Sequence, residues 1–281
     1  MNHQEQLYNI FKQNGSDTEL QWYQKMDALD LQEKKKGFVM AHRHIARVPL
    51  GEVSIHPHDS PYPVDLSKWT KDQLVRTLVL LSMDEGDQND FVQVIEDLFQ
   101  TADNREAQAI YAALPFFNYA PVWTQRATEA IRSNVGLIFD AMAFNNPYPA
   151  RYFDDTAWNQ LVLKTIFNDK SIWNILGLED RRNQSLAVTI SDFAHERWAA
   201  GRTLSAEVWF LTVPFPSTRY WQDTYQLLNS ETSADRNAGY LLWKAHADSA
   251  PENFTETFQS LFDDFKTQTI EWGKLEGQDQ S

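Results

Sequence analysis

The side chains best suited to chemistry are the histidines, the acids near them and one arginine set at the end of an apolar stripe. His42 and His44 stand two apart in a segment of helical character. Side chains so spaced leave a helix on different faces, so this pair is no chelate. His56-Pro57-His58 is different, because extended chain puts i and i+2 on one side, and Asp59 follows. A weak metal site there needs a third, distant ligand that the sequence does not point to, so no metal is assigned. His195-Glu196-Arg197-Trp198 opens like the zinc helix H-E-x-x-H, but Ala199 stands where the second histidine must be. The two-histidine zinc geometry is lost with it. His195 lies one turn from Asp192, which could orient the imidazole. Without a nucleophile beside them the two make an orienting pair and not a triad. Cysteine is absent, which removes thiolate nucleophiles, thiolate zinc sites and disulfides. No G-x-S-x-G, phosphate loop or dinucleotide fingerprint occurs, so no cofactor and no catalytic residue is assigned.

The densest polar constellation runs from Asn145 to Arg202. In Asn145-Asn146-Pro147-Tyr148-Pro149 the prolines impose extended backbone on Asn146 and Tyr148. The two asparagines suit a helix C-terminus or a tight turn. Asp155 can cap the following helix, on which Trp158, Leu161, Val162 and Thr165 share one face and Asn159, Leu163 and Ile166 another. Lys164 is either a surface charge or a reach toward Asp154. Farther on, Leu186, Ile190, Phe193 and Arg197 share a helix face. An arginine closing an apolar stripe needs an acid or a carbonyl as partner; Asp192, Glu196 and the 145–155 turn are the candidates. Structural bracing and ligand contact are both open for these positions. The ligand-binding or motif candidates are Asn145, Asn146, Tyr148, Trp158, Asn159, Lys164, His195, Arg197 and Trp198.

Helices must position them. Thr70 and Gln73 have the capping-box spacing, and Leu74, Leu78 and Leu81 then recur at i, i+4 and i+7. Phe91, Val94, Ile95, Leu98 and Phe99 stripe the next segment, after a turn at Glu85-Gly86-Asp87. Ala107, Ile110, Tyr111 and Leu114 stripe a third, which Pro115 bends or stops. Short, closely connected amphipathic helices need neighbours on more than one side. This predicts an all-α fold of stacked helical hairpins, solenoid-like in the manner of HEAT or armadillo repeats, or else an irregular helical bundle. Helices are expected also over 5–12, 18–32, 34–48, 124–144, 156–167, 183–200, 205–211, 218–228, 233–247 and 255–272. In the last, Phe254, Phe258, Leu261, Phe262 and Phe265 make a core-facing stripe. Residues 49–68 carry four prolines, Pro49, Pro57, Pro61 and Pro63, and cannot be helical throughout. Composition is alike on both sides of that stretch, so one domain over 1–272 with a polar, frayed tail at 273–281 is expected.

Charge narrows the partners. Thirty-nine acids against 25 bases give a net charge of −14, which disfavours nucleic-acid binding. The basic run Lys34-Lys35-Lys36 has Asp30 and Glu33 beside it and is read as a solvated helix face. The N-terminus shows no basic segment leading into an apolar run, and the longest aliphatic run is Leu78 to Leu81. The expectation is a cytoplasmic protein without a signal peptide and not itself membrane-spanning.

Taken together, Asn145-Asn146-Pro147-Tyr148-Pro149, Tyr152-Phe153-Asp154, Trp158-Asn159-Gln160, Leu163-Lys164, Gly177-Leu178 with Arg181 or Arg182, and Ala194-His195-Glu196-Arg197-Trp198-Ala199-Ala200-Gly201-Arg202 resemble the EboA family of metabolite-traffic proteins. The resemblance is tightest over 134–202, and residues 69–133 agree in character. Arg181-Arg182-Asn183 departs from an acidic-Arg-x-Asn pattern of that family, which leaves the role of Arg182 open. The resemblance implies a place in bacterial gene clusters that move a small-molecule precursor from the cytoplasm toward the periplasm. It also implies partners from the same cluster, among them a UbiA-type membrane prenyltransferase, and a location peripheral to the inner membrane through such a partner. It brings no catalytic mechanism.

Three functions follow. The first is a non-catalytic binding or scaffold protein whose aromatic and polar patch takes an aromatic or prenylated precursor. The second is an enzyme acting on that precursor, with His195 as acid or base and Lys164 or Arg197 holding an anion. The third is a protein–protein adaptor with no small ligand. The dense aromatic-polar patch and the lack of a catalytic signature favour the first.

Overall fold

Side-chain caps set most helix starts. Ser16 and Glu19 form a reciprocal capping box at one start, and Asp103 and Glu106 form another. Asp87, Asn183, Ser217 and Thr232 each accept a backbone N–H one turn on. Thr70 does not cap: its side chain makes no such bond. Its backbone bridges Pro49 instead, and the Lys71 N–H goes to the Val48 carbonyl (2.9 Å), so the irregular stretch takes over the work of the cap.

The computed structural model describes residues 3–57 and 60–275. His58 and Asp59, on which the metal reading at His56 depends, lie outside the described residues, as do 276–281 of the tail. The described chain divides into two compact units, one made of Met1–Trp158 with Asn174–Gly177 and the other of Asn159–Trp173 with Leu178–Ser281.

The first unit holds α1 (His3–Asn14), α2 (Asp17–Asp27), α3 (Leu31–His44), the two-residue strands β1 (Ser54–Ile55) and β2 (Val64–Asp65), α4 (Lys71–Leu81), α5 (Gln88–Thr101), α6 (Asn104–Ala113), α7 (Thr124–Arg132), α8 (Gly136–Ala143) and α9 (Tyr148–Tyr152). The strands pair antiparallel within the proline-rich stretch, with Ile55 opposite Val64. Helix α4 is buried on every side from Lys71 to Leu80 and packs against α1, α2, α3 and α6. In a solenoid each repeat meets only its sequence neighbours. A helix enclosed by four others makes this unit an irregular all-α bundle. Arg76 on α4 is paired accordingly. The Arg76 guanidinium is 3% exposed, and its Nε donates to the Phe38 carbonyl (3.1 Å) in the middle of α3. Lys34 and Lys35 are half-buried and not a solvated face: Lys34 donates to the Ser82 carbonyl (2.7 Å) and Lys35 pairs with Asp97 (2.9 Å).

Helix α10 (Asp155–Phe167) carries the chain from the first unit into the second. The second unit continues with α11 (Gln184–Ala199), a 3-10 helix (Ala206–Thr212), α12 (Thr218–Leu228), α13 (Ser233–Ala245), α14 (Phe254–Thr257) and α15 (Gln259–Phe265). Helices α12 and α13 form a hairpin, and the 3-10 helix packs on both α11 and α13.

Several boundaries differ from expectation. The 124–144 segment is two helices, interrupted where Ser133 turns extended and its hydroxyl accepts the Val135 N–H (3.1 Å). The C-terminal helix breaks at Phe258 and ends at Phe265, yet Phe254, Phe258, Phe262 and Phe265 are all buried as their spacing predicts. Leu275, placed in the polar tail, is 2% exposed. No helix among the described residues is long and apolar enough to cross a membrane.

Candidate functional site

In the first unit the Asn145–Pro149 motif builds the floor of a cavity. Asn145 ends α8 in the left-handed region (φ 52°), a conformation asparagine tolerates. Its N–H donates to the Asn174 carbonyl (2.8 Å). Asn146 is 4% exposed; its amide donates to the Ala141 carbonyl (2.9 Å) and its Oδ1 accepts the Tyr148 N–H (2.9 Å). That accepted bond starts α9, so Tyr148 is helical and not extended as the prolines suggested. Pro149 sits in the first turn, where a missing N–H costs nothing. The Tyr148 ring is 1% exposed and its hydroxyl donates to the Ala120 carbonyl (2.5 Å). Burial pushes its phenol well above the usual tyrosine range. Gly177 holds the neighbouring loop close: at φ 76° a Cβ there would meet the Ala150 Cβ at 2.7 Å and the Tyr62 ring at 3.2 Å.

The cavity above this floor is about 330 Å³. Phe91, Phe116, Phe117, Tyr148 and Tyr152 give it aromatic walls, and Asp84, Asn118 and Arg151 supply polar groups. Asn118, at the exposed edge, donates to Asp84 (2.7 Å). Behind the wall, Phe91 and Phe117 meet Trp123 edge-on at 6.3 and 5.9 Å between ring centres. A smaller cavity of about 200 Å³ borders Asn145, Asn146 and Asn174 on the side of Asp65, Lys68 and Gln73. Trp158 is fully buried, in the core of the same unit.

In the second unit α11 and α12 share a polar cluster. Asp223 is 2% exposed; it accepts from the Ser191 hydroxyl (2.6 Å) and is bonded to His195 Nε2 (2.6 Å). Arg219 donates from Nε to Ser191 Oγ (2.7 Å) and pairs with Asp192 (2.8 Å). The partner of His195 is therefore Asp223, across two helices, and not Asp192, which Arg219 takes. Burial raises the Asp223 carboxyl above the usual aspartate range, against the hydrogen bonds from Ser191 and His195. Ser191, Arg219 and Asp223 border a small pocket of about 50 Å³. The sequence signal for this cluster was two i, i+4 pairs, Ser191/His195 and Arg219/Asp223, that would meet if the two helices packed.

The other motif residues of this unit have their own partners. Asn159 and Asn183 exchange side-chain amide bonds (3.2 and 2.8 Å), and Asn183 also caps α11 through the Leu186 N–H (2.9 Å). Trp198 stacks on Trp209 with ring centres 5.6 Å apart. Burial lowers the Lys164 ammonium below the usual lysine range. Arg197 finds a carbonyl and not an acid: its Nε donates to Thr203 O (2.6 Å) while its guanidinium lies over Phe193 at 5.5 Å. Arg182 likewise lies over Phe210 at 4.4 Å and donates from Nε to the Glu179 carbonyl (3.0 Å). Asp154, not Asp155, caps α10, accepting the Ala157 N–H (2.8 Å). Among the described residues no group of three or more His, Cys, Asp or Glu side chains is gathered to hold a metal.

The nine motif positions thus fall into both units: Asn145, Asn146, Tyr148 and Trp158 in the first, and Asn159, Lys164, His195, Arg197 and Trp198 in the second. No curated protein and no solved structure matches the chain. A family model described as metabolite traffic protein EboA matches residues 3–213, a span that holds all nine positions and both helical starts that Asn146 and Asn183 set. The chain belongs to the EboA family of metabolite traffic proteins.

Proposed function

We propose that this protein is a non-catalytic binding or scaffold component of a bacterial metabolite-traffic cluster, holding an aromatic or prenylated precursor on its way from cytoplasm to periplasm. The observation that carries this reading is the aromatic cavity of about 330 Å³ built on Asn146 and Tyr148. Aromatic walls beside several polar side chains suit a ligand that joins an aromatic or hydrocarbon part to polar substituents. Asn145, Asn146 and Tyr148 shape the floor, and Trp158 fills the core of the same unit; Asn159, Lys164, His195, Arg197 and Trp198 belong to the second unit and organise its helices. The protein acts in the cytoplasm, reaching the inner membrane through cluster partners such as a UbiA-type prenyltransferase.

Filling the cavity from its exposed edge tests this without touching the core. Protein isolated from cells carrying the whole cluster is expected to retain a small molecule in native mass spectrometry. Asn118→Trp should lose that mass and block export while keeping its helical circular dichroism. Unchanged retention and export in a folded Asn118→Trp protein would sink the reading.

A further inference from the structure

We propose a second binding site, in the C-terminal unit: the pocket at Arg197 takes the anionic group, a carboxylate or a phosphate, of a small polar ligand. This site is independent of the aromatic cavity. The pocket is about 260 Å³ and is lined by Arg197, Lys170, Ser171, Thr203, Ser205 and Glu207, with Asp169 and apolar Ile166, Leu204 and Val208 completing it.

Arg197 is held in place by its surroundings. A guanidinium offers five N–H donors in a rigid plane. Here Nε is spent on the Thr203 carbonyl at 2.6 Å, and the plane lies over Phe193. The backbone of the same turn is fixed as well, since the Arg202 N–H donates to the Arg197 carbonyl (2.8 Å). The two terminal amino groups donate to no protein atom among the described residues. An arginine whose stem is anchored and whose fork is unspent has already lost the freedom that binding would otherwise cost. Its remaining four N–H groups match the paired oxygens of a carboxylate or phosphate.

The lining also carries two acids, Glu207 and Asp169. Glu207 is 6% exposed, and its carboxylate is turned to the Ile172 N–H (2.8 Å) and the Ser171 hydroxyl (3.1 Å). Asp169 is exposed, and its backbone sits in a left-handed turn (φ 50°). Lys170 lines the same pocket. The result is a site with the Arg197 fork at one end and hydroxyl-bearing walls, suited to a small hydroxylated acid or phosphate ester and too polar for a hydrocarbon.

Calorimetric titration of the full chain with inorganic phosphate, and separately with acetate, at constant ionic strength set by chloride, tests the site. Saturable binding of at least one is expected, weakened at least about tenfold in Arg197→Ala and by less in Arg197→Lys, which keeps the charge but not the fork. Binding of phosphate alone assigns a phosphate ester, and binding of acetate alone assigns a carboxylate. Arg132→Ala and Asn118→Trp should leave the titration unchanged, the latter separating this site from the aromatic cavity. If neither anion saturates by about 10 mM, the proposal is overturned. It is equally overturned if a folded Arg197→Ala protein binds as tightly as the parent; should that variant not fold, Arg197→Lys decides by the same criterion.

Discussion

Glu19 in the first unit and Asp223 in the second are both almost completely buried, yet their protons are pulled in opposite directions. Burial alone would raise both. For Glu19 it is outweighed: the Lys71 ammonium (2.8 Å), the Ala46 N–H (2.8 Å), and the Ser16 N–H and hydroxyl (2.8 and 2.9 Å) hold its carboxyl down at about 2. Asp223 has one hydroxyl and one imidazole as direct donors, and burial wins. The contrast separates two uses of a buried acid. Glu19 joins the α2 start, the chain after α3 and the α4 start through a permanent cation and backbone donors. Asp223 joins two helices through side-chain hydrogen bonds, from the Ser191 hydroxyl and at the His195 imidazole, with no backbone donor among the described residues.

The largest expected effect follows from breaking the first. Glu19→Ala leaves the Lys71 ammonium buried opposite nothing but the Asn14 carbonyl (3.2 Å). The loss should be about 3–5 kcal/mol, read as a lower urea midpoint for the first unit at pH 7. The pH dependence has a definite sign. A carboxyl depressed on folding contributes its full stability above its unfolded value of 4.5 and loses it as pH falls toward about 2. The gap between parent and Glu19→Ala should close across that window, and a gap independent of pH would mean that Glu19 is not the anchor.

These two clusters also show which parts of the molecule could be read from sequence. Stripes are local, and they survive: Leu74 and Leu78 are fully buried, and the phenylalanines from Phe254 to Phe265 face the core even though their helix is broken. Caps depend on what the preceding chain does, and Thr70 loses its expected role because Pro49 and Val48 reach its helix start first. Partner choice is less local still. Asp192 was the near acid for His195, but the acid that meets it comes from α12, and Asp192 is drawn to Arg219. The motif Asn145–Tyr148 was visible as a turn. That it floors a cavity depends on Phe91 arriving from α5 and Phe116 and Phe117 from the chain after α6, which no local spacing encodes.

A smaller effect confined to the second unit sharpens the comparison. Asn183 caps α11, the helix that carries Ser191, His195 and Arg197, and it also holds Asn159. Asn183→Ala should cost about 1 kcal/mol, in the range of a lost cap. Hydrogen exchange should quicken in the first turn of α11, at Leu186 and its neighbours, and stay unchanged in α4. Equal acceleration in α4 would show that the two units do not hold their stability separately.

The smallest change is expected at Asp223 itself. A carboxyl whose value is raised on folding costs stability when ionised; the cost is absent below its unfolded value of 3.8 and grows as pH rises through the folded value. Asp223→Asn removes that cost at neutral pH and keeps an oxygen for the Ser191 hydroxyl, while giving up the charged partner of His195 and weakening the field at Arg219. The two changes oppose each other, so stability at pH 7 should move by less than about 1 kcal/mol. Relative to the parent, the variant should gain as pH rises through the window above 3.8, the reverse of the Glu19→Ala gap, which widens with rising pH. The side chains facing Asp223 are Ser191, His195 and Arg219, and Arg219 keeps Asp192 as its acid after the change. A loss at pH 7 as large as that of Glu19→Ala would mean that Asp223 is a fixed anchor of the same kind. The difference between the two buried acids would then lie only in how many donors surround each, and not in what each does.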